Sequence, residues 1–122
     1  MKKYCVFIFH GSANAEAVKI TERLKEQFAE KLKLPFSICY LKGNLPSFSD
    51  ALEQAYLKGA RKIDCLPLFL MPGSHISKDI PAIIETFVKA HPDCIVKQMK
   101  CLTESMYFVD FIIKILENSN EQ

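Results

Sequence analysis

Arginine is scarce in this chain. Of sixteen basic side chains only Arg23 and Arg61 carry a guanidinium, and fourteen acidic residues leave a net charge of +2. That balance excludes the strong positive field on which DNA and RNA binding depend. No Cys-x-x-Cys pair occurs among the five cysteines, Cys5, Cys39, Cys65, Cys94 and Cys101. The spacing argues against iron–sulfur ligation, and the odd number argues against a disulfide framework. Four of them fall in apolar stretches, so they read as small buried hydrophobes in a reducing, cytoplasmic setting. No apolar run approaches the roughly 20 residues that a membrane span requires. The glycine patterns of nucleotide-binding loops are missing, as is G-x-S-x-G around Ser12 or Ser74, which disfavours nucleotide binding and serine hydrolysis. Lys2-Lys3 followed by the apolar run to Phe9 imitates a secretory signal. The run is short, however, His10-Gly11 interrupts it, and cleavage would delete the best candidate for a central strand.

What remains is a globular composition, with 49% hydrophobic and 25% charged residues in 122. It fits one domain spanning residues 1–122. Cys5–Phe9 is a continuous apolar, β-rich run of the kind buried on both faces of a parallel sheet. Val18, Thr21, Leu24, Phe28 and Leu32 recur at helical spacing and predict a helix over 14–32. Phe36–Leu41 reads as a second strand and Ile63–Leu70 as a third, with Pro67 marking either a break or the strand's end. Between them, Ser47 and Asp50 resemble a capping box opening a helix through Leu57, which Gly59 can close in a left-handed conformation. Ser77 is placed to cap a helix carrying Ile80, Ile83, Ile84, Phe87 and Val88, ended by His91-Pro92. Cys94–Met99 gives a fourth strand. Ser105–Glu117 gives a last helix, apolar almost all round, with more apolar surface than packing on the sheet can use, so a second copy of the chain is expected against it.

This alternation predicts an α/β, doubly wound, four-stranded parallel sheet of flavodoxin-like order 2-1-3-4 with helices on both faces. Strands one and three are then neighbours where the winding reverses, and ligands bind beyond their carboxyl ends. Two histidines leave the sheet there, His10 after strand one and His75 in the Met71-Pro72-Gly73-Ser74-His75 loop. Each alone could be a hydrogen-bonded loop residue. Together they could ligate a borderline divalent metal and accept a proton near neutrality. With no third ligand such a pair would hold metal weakly, which suits delivery rather than storage. His91, at the opposite edge of the fold, reads as plain surface.

The run Leu66-Pro67-Leu68-Phe69-Leu70-Met71-Pro72-Gly73-Ser74-His75-Ile76-Ser77-Lys78-Asp79-Ile80-Pro81, with Phe9-His10-Gly11-Ser12 before it, resembles the short-form sirohydrochlorin cobaltochelatases of the class II chelatase superfamily. The resemblance spans nearly the whole chain. It implies a homodimeric chelatase of the anaerobic cobalamin pathway, or a related sirohaem-type route, that inserts Co(II), or else Fe(II) or Ni(II), into sirohydrochlorin. The metal is then substrate, with no tightly bound cofactor. By motif position His10 becomes metal ligand and proton acceptor, and His75 the second ligand. Ser12, Lys42, Leu45, Leu70, Met71, Pro72, Gly73 and Ser74 become substrate contacts. Ala13, Leu45 and Pro72 depart from the family pattern, and the missing arginine leaves Lys42 or Lys78 to meet the substrate's carboxylates. Alternatives are a non-catalytic tetrapyrrole or metal carrier on the same fold, and an unrelated flavodoxin-like binding domain.

Overall fold

The computed structural model describes residues 2–119, with the side chains of Lys2 and His75 outside the described set. Four strands, β1 (Lys2–Phe9), β2 (Phe36–Tyr40), β3 (Ala60–Pro67) and β4 (Ile95–Gln98), alternate with four α-helices, α1 (Ala15–Lys31), α2 (Phe48–Leu57), α3 (Ile80–Ala90) and α4 (Phe108–Glu117). All pairings are parallel, in the order β2-β1-β3-β4, as the sequence predicts. The strand registers bring Ile8 opposite both Cys39 and Pro67.

The alternation of β1 divides the core. Tyr4, Val6 and Ile8 point to one face, where they join Cys39, Leu52, Ala55, Ile63, Cys65, Ile80 and Phe87 under α2 and α3. Phe7 points to the other face and stacks on Phe28 of α1, ring centroids 4.4 Å apart, with Phe36 edge-on to both. Helix α1 rests on that aromatic contact: it has no fully buried residue, and Val18 and Ile20 are exposed. Its start is set by Asn14, whose side chain accepts from the Glu16 and Ala17 amides and so satisfies donors with no partner inside the helix.

Local chemistry fixes the other boundaries. Ser47 caps α2 by accepting the Asp50 amide, and Gly59 follows the helix at φ +100°. Pro67 is the buried last residue of β3, so the strand covers 60–67 rather than 63–70, because a proline can end a ladder but cannot donate within it. Ser77 does not cap the third helix. It lies inside a π-helical turn, His75–Asp79, that runs directly into α3 with Pro81 in its first turn. The Ser77 amide instead donates to the Gly73 carbonyl.

Two further expectations change. Helix α4 starts at Phe108 rather than Ser105, buries no residue and packs chiefly on a short 3₁₀ turn, Leu102–Glu104, so it does not cover the sheet. His91 is not plain surface. Its ring lies 4.0 Å from Tyr56 and 4.7 Å from Phe87, centroid to centroid, while Nε2 meets the Glu53 carboxylate at 2.8 Å. Beside it the Tyr56 hydroxyl donates to Asp93 at 2.8 Å, and Arg61 lies over the Tyr56 ring while pairing with Asp93 at 3.2 Å. This cluster ties α2 to the end of α3 and the entry to β4. No local pattern announces it, because its members are spread over 41 positions, Glu53 to Asp93.

The expectation for the thiols holds. All five cysteines are free, four are buried and Cys5 is half-buried. Burial pushes the Cys39 thiol up to about 12 and raises that of Cys65 further still.

Candidate functional site

The carboxyl ends of β1 and β3 lie side by side, with the Leu68 amide donating to the Ile8 carbonyl at 2.9 Å. From there the chain departs as His10-Gly11-Ser12 on one side and as Leu68 to Ser74 on the other. The imidazole of His10 is exposed and meets Phe69 edge-on, centroids 5.9 Å apart. Two open recesses share these rings. One, of about 250 Å³, runs from Gly11 and Ser12 past Tyr40 and Asn44 to Ala17, Val18 and Thr21 of α1. The other, of about 290 Å³, is floored by Ile76 and flanked by Met71 and Gly73. His10 thus stands on the ridge between them, where a flat ligand could lie across both sides.

The His10 loop is held from β2. The amides of Leu41 and Lys42 donate to the carbonyls of Phe9 and His10 at 3.0 and 3.1 Å, which carries the β1–β2 pairing past the strand ends. The chain then reverses tightly: the Asn44 amide donates to the Lys42 carbonyl at 2.9 Å, with Gly43 at φ +75°, the signature of a γ-turn. This reversal aims Asn44 Oδ1 at the Ser12 amide, which it accepts at 2.8 Å. Gly11, at φ +112°, fits against the Lys42 carbonyl so closely that a Cβ there would lie 1.8 Å from its oxygen.

The second loop is held from the other edge. The Leu102 amide donates to the Phe69 carbonyl at 2.9 Å, the Thr103 amide to Leu70 at 3.3 Å, and the Thr103 hydroxyl closes on the same Leu70 carbonyl. The Gln98 side chain donates to the Ile76 carbonyl at 3.1 Å, fixing the π turn on which His75 is the first residue. Within the first recess, burial raises the Tyr40 hydroxyl above its ordinary range, with the nearby Glu22 carboxylate adding to the effect, so Tyr40 stays a neutral phenol.

The structure gathers four of the residues singled out in the sequence, His10, Ser12, Met71 and Gly73, into the two recess walls. Lys42 is exposed and borders a neighbouring recess with Leu41, Asp79, Ala82 and Ile83. Leu70, Pro72 and Ser74 are exposed on the loop, and Leu45, 84% exposed ahead of a cis bond to Pro46, lines neither recess. The backbone of His75 follows this loop, and its side chain lies outside the described residues. Asn44, Tyr40, Thr21 and Thr103 were missed in the sequence. Only Gly43-Asn44 carried a signal, as a turn, and a turn pattern does not say what its side chain will reach. Among the described residues no three His, Cys, Asp or Glu side chains converge into a metal cage. No helix among them is long and apolar enough to cross a membrane.

Comparison with known proteins adds context to this geometry. A family model described as CbiX matches residues 4–119. A chloroplastic sirohydrochlorin ferrochelatase of Arabidopsis thaliana is 30% identical over 79 residues, covering 64% of this chain and 35% of the relative. A sirohydrochlorin cobaltochelatase of Saccharolobus islandicus is also 30% identical over 79 residues, covering 65% of this chain and 61% of the relative. A sirohydrochlorin ferrochelatase of Priestia megaterium is 23% identical over 116 residues, 94% of this chain and 44% of the relative. The chain therefore spans between about a third and three-fifths of these relatives' lengths. Among solved structures, a cobalamin biosynthesis CbiX protein of Marinobacter aquaeolei superposes with a TM-score of 0.80 at 24% identity, over 98% of both chains. The sirohydrochlorin chelatase SirB of Bacillus subtilis, in complex with cobalt, superposes with a TM-score of 0.83 at 21% identity, over 97% of this chain and 51% of that one. At these identities the likeness establishes the fold.

Proposed function

The chain belongs to the CbiX family, and on that premise we propose that it is a sirohydrochlorin chelatase that inserts a divalent metal, Co(II) in preference to Fe(II) or Ni(II), into the tetrapyrrole. The observation that carries the reading is the position of His10: an exposed imidazole on the ridge between two recesses, at the point where the sheet's winding reverses. Relatives named for both cobalt and iron insertion support the reaction class, and the preference for Co(II) rests on the resemblance of the motifs.

The chemistry follows from the substrate. Insertion replaces two pyrrole N–H protons with one divalent ion, with no change in oxidation state, so two protons must leave the ring. The His10 imidazole accepts one as the metal–nitrogen bonds form, and the second passes to His75 or to solvent. A metal held by two neutral imidazoles is bound weakly enough to be handed over. Phe69 and Met71 offer apolar surface to the macrocycle, while Ser12, Lys42 and the Leu70–Ser74 loop meet its edge and carboxylates.

The chain acts in this reading as one chelatase-like domain, in the cytoplasm and as a homodimer. Its five free thiols fit a reducing compartment. The second copy covers α4 and the turn before it, where Met106, Tyr107, Val109, Phe111 and Leu116 are all exposed. Sedimentation should find a dimer, and Phe111→Glu should shift it to monomer.

The decisive assay follows the visible spectrum of excess sirohydrochlorin with Co(II) under anaerobic conditions. Wild type should metallate many equivalents, and folded His10→Ala and His75→Ala variants should lose most of that rate. One equivalent bound without turnover, with Co(II), Fe(II) and Ni(II) alike, would refute the chelatase and leave a carrier.

A further inference from the structure

We propose that Asn44 is the positioning residue for His10, acting through the backbone of the loop that carries it. This rests on the chelatase reading for its kinetic consequence and on geometry alone for its structural one. The loop His10-Gly11-Ser12 leaves β1 with no regular structure of its own until Asn14 caps α1. Its backbone is fixed on both sides of Gly11 from one short segment of the β2–α2 connection. On the His10 side the Lys42 amide donates to the His10 carbonyl at 3.1 Å, and on the Ser12 side Asn44 Oδ1 accepts the Ser12 amide at 2.8 Å. The first contact is main chain to main chain, so almost any sequence could make it. The second is supplied by a side chain and depends on what stands at position 44.

The geometry around that oxygen is built for acceptance. The γ-turn at Gly43 swings the Asn44 backbone back onto Lys42, and the same Oδ1 approaches to 3.3 Å of the position a Gly11 Cβ would take. Asn44 also lines the recess beside His10, Ser12 and Tyr40. Removing the acceptor frees the Ser12 amide and the chain on the carboxyl side of Gly11, leaving the bond from the Lys42 amide to the His10 carbonyl as the hydrogen bond that still ties this loop to residues 42–44. A proton acceptor or metal ligand displaced by about 1 Å loses on the order of 10²-fold in rate.

The test pairs Asn44→Leu, which keeps the branched shape and removes the acceptor, with Asn44→Asp, which keeps an oxygen at the same place. Three quantities are measured on each: the melting temperature, the exchange rate of the Ser12 amide by NMR, and the split between kcat and KM for cobalt insertion. Asn44→Leu should stay folded, exchange the Ser12 amide at least 10-fold faster, and lose roughly 10- to 100-fold in kcat with KM changed by less than about threefold. Asn44→Asp should return both amide protection and kcat to near wild type. Unchanged Ser12 exchange in Asn44→Leu overturns the proposal, as does faster exchange with an unaltered kcat. If Asn44→Leu does not fold, Asn44→Asp decides: retained protection with retained kcat supports the assignment, and retained protection with collapsed kcat overturns it. If the wild type inserts no metal, the chelatase reading fails by itself. Positioning is then judged by Ser12 exchange and by the affinity for Co(II) alone, which must fall together in Asn44→Leu for the assignment to stand.

Discussion

Three glycines make a graded test of how tightly the His10 loop is built. Alanine at Gly11 would place Cβ 1.8 Å from the Lys42 carbonyl oxygen and 2.9 Å from its carbon, both backbone atoms, at a φ of +112°. The conformation alone costs about 1–2 kcal/mol. The forced retreat of Lys42 also breaks the Lys42–His10 and Ser12–Asn44 hydrogen bonds, each contributing about 1 kcal/mol. A less flexible unfolded chain returns about 0.5–1 kcal/mol. The net loss should be about 3 kcal/mol, or roughly 12 °C in melting temperature for a chain of this size. At Gly43 the φ of +75° carries the conformational cost, but no atom lies within 4 Å of the added Cβ, so Gly43→Ala should lose only about 1 kcal/mol. At Gly73 there is open space and no positive φ, so alanine should be neutral or stabilising by about 0.5 kcal/mol. Urea unfolding of the three variants measures all of this. A Gly11→Ala protein within 1 kcal/mol of wild type, or a Gly43→Ala protein as damaged as Gly11→Ala, would refute the claim that backbone contact with Lys42 dominates this loop.

Lys42→Glu should raise the KM for sirohydrochlorin several-fold with kcat little changed, because Lys42 is an exposed cation beside the cleft and the substrate is polyanionic; an unchanged KM removes Lys42 from the substrate contacts. With its thiol pushed up to about 12 by burial, Cys39 is only about 10⁻⁴ thiolate at pH 8, so a thiol reagent should label half-buried Cys5 first and reach Cys39 only on unfolding. Rapid native-state labelling of Cys39, read by peptide mass spectrometry, would contradict its burial. The hydrogen bond from Tyr56, with Arg61 adding to it, holds the Asp93 carboxyl below the usual carboxylate range. A depressed folded-state value means that the contribution is complete above the unfolded value near 4 and is lost as pH falls through the folded one. Asp93→Asn should therefore flatten the acid limb of the urea midpoint below about pH 4, and an unchanged limb would show that the Tyr56–Arg61–Asp93 cluster does not link stability to pH.

Local patterns carried much of this architecture. The run Cys5–Phe9, the cap Ser47, and the apolar spacing of Ile80, Ile83, Ile84 and Phe87 each express a short-range rule, so the placement of strands and helices could be read from them. Boundaries slipped where a local rule had two outcomes. Pro67 could break or end β3, and Ser77 has a capping residue's chemistry but sits in a turn whose amides the Gly73 carbonyl already engages. The surplus of apolar surface on the last helix was visible in composition. That so little of it is buried was not, because the contact depends on where the 3₁₀ turn Leu102–Glu104 aims the helix.

His10 and the loop toward His75 stood out because histidine beside glycine at a strand end is a local pattern at a place the topology makes functional. The sequence by itself determined the parallel sheet, its switch point and which residue types leave the sheet there, since these follow from periodicity and residue type along neighbouring positions. Only the tertiary structure decided what holds that chemistry in place. The Asn44–Ser12 and Thr103–Leu70 contacts join residues 32 and 33 positions apart, and the His91–Glu53 pair spans 38. Contacts at such separations arise from how strands and loops come together, and no short-range pattern encodes them.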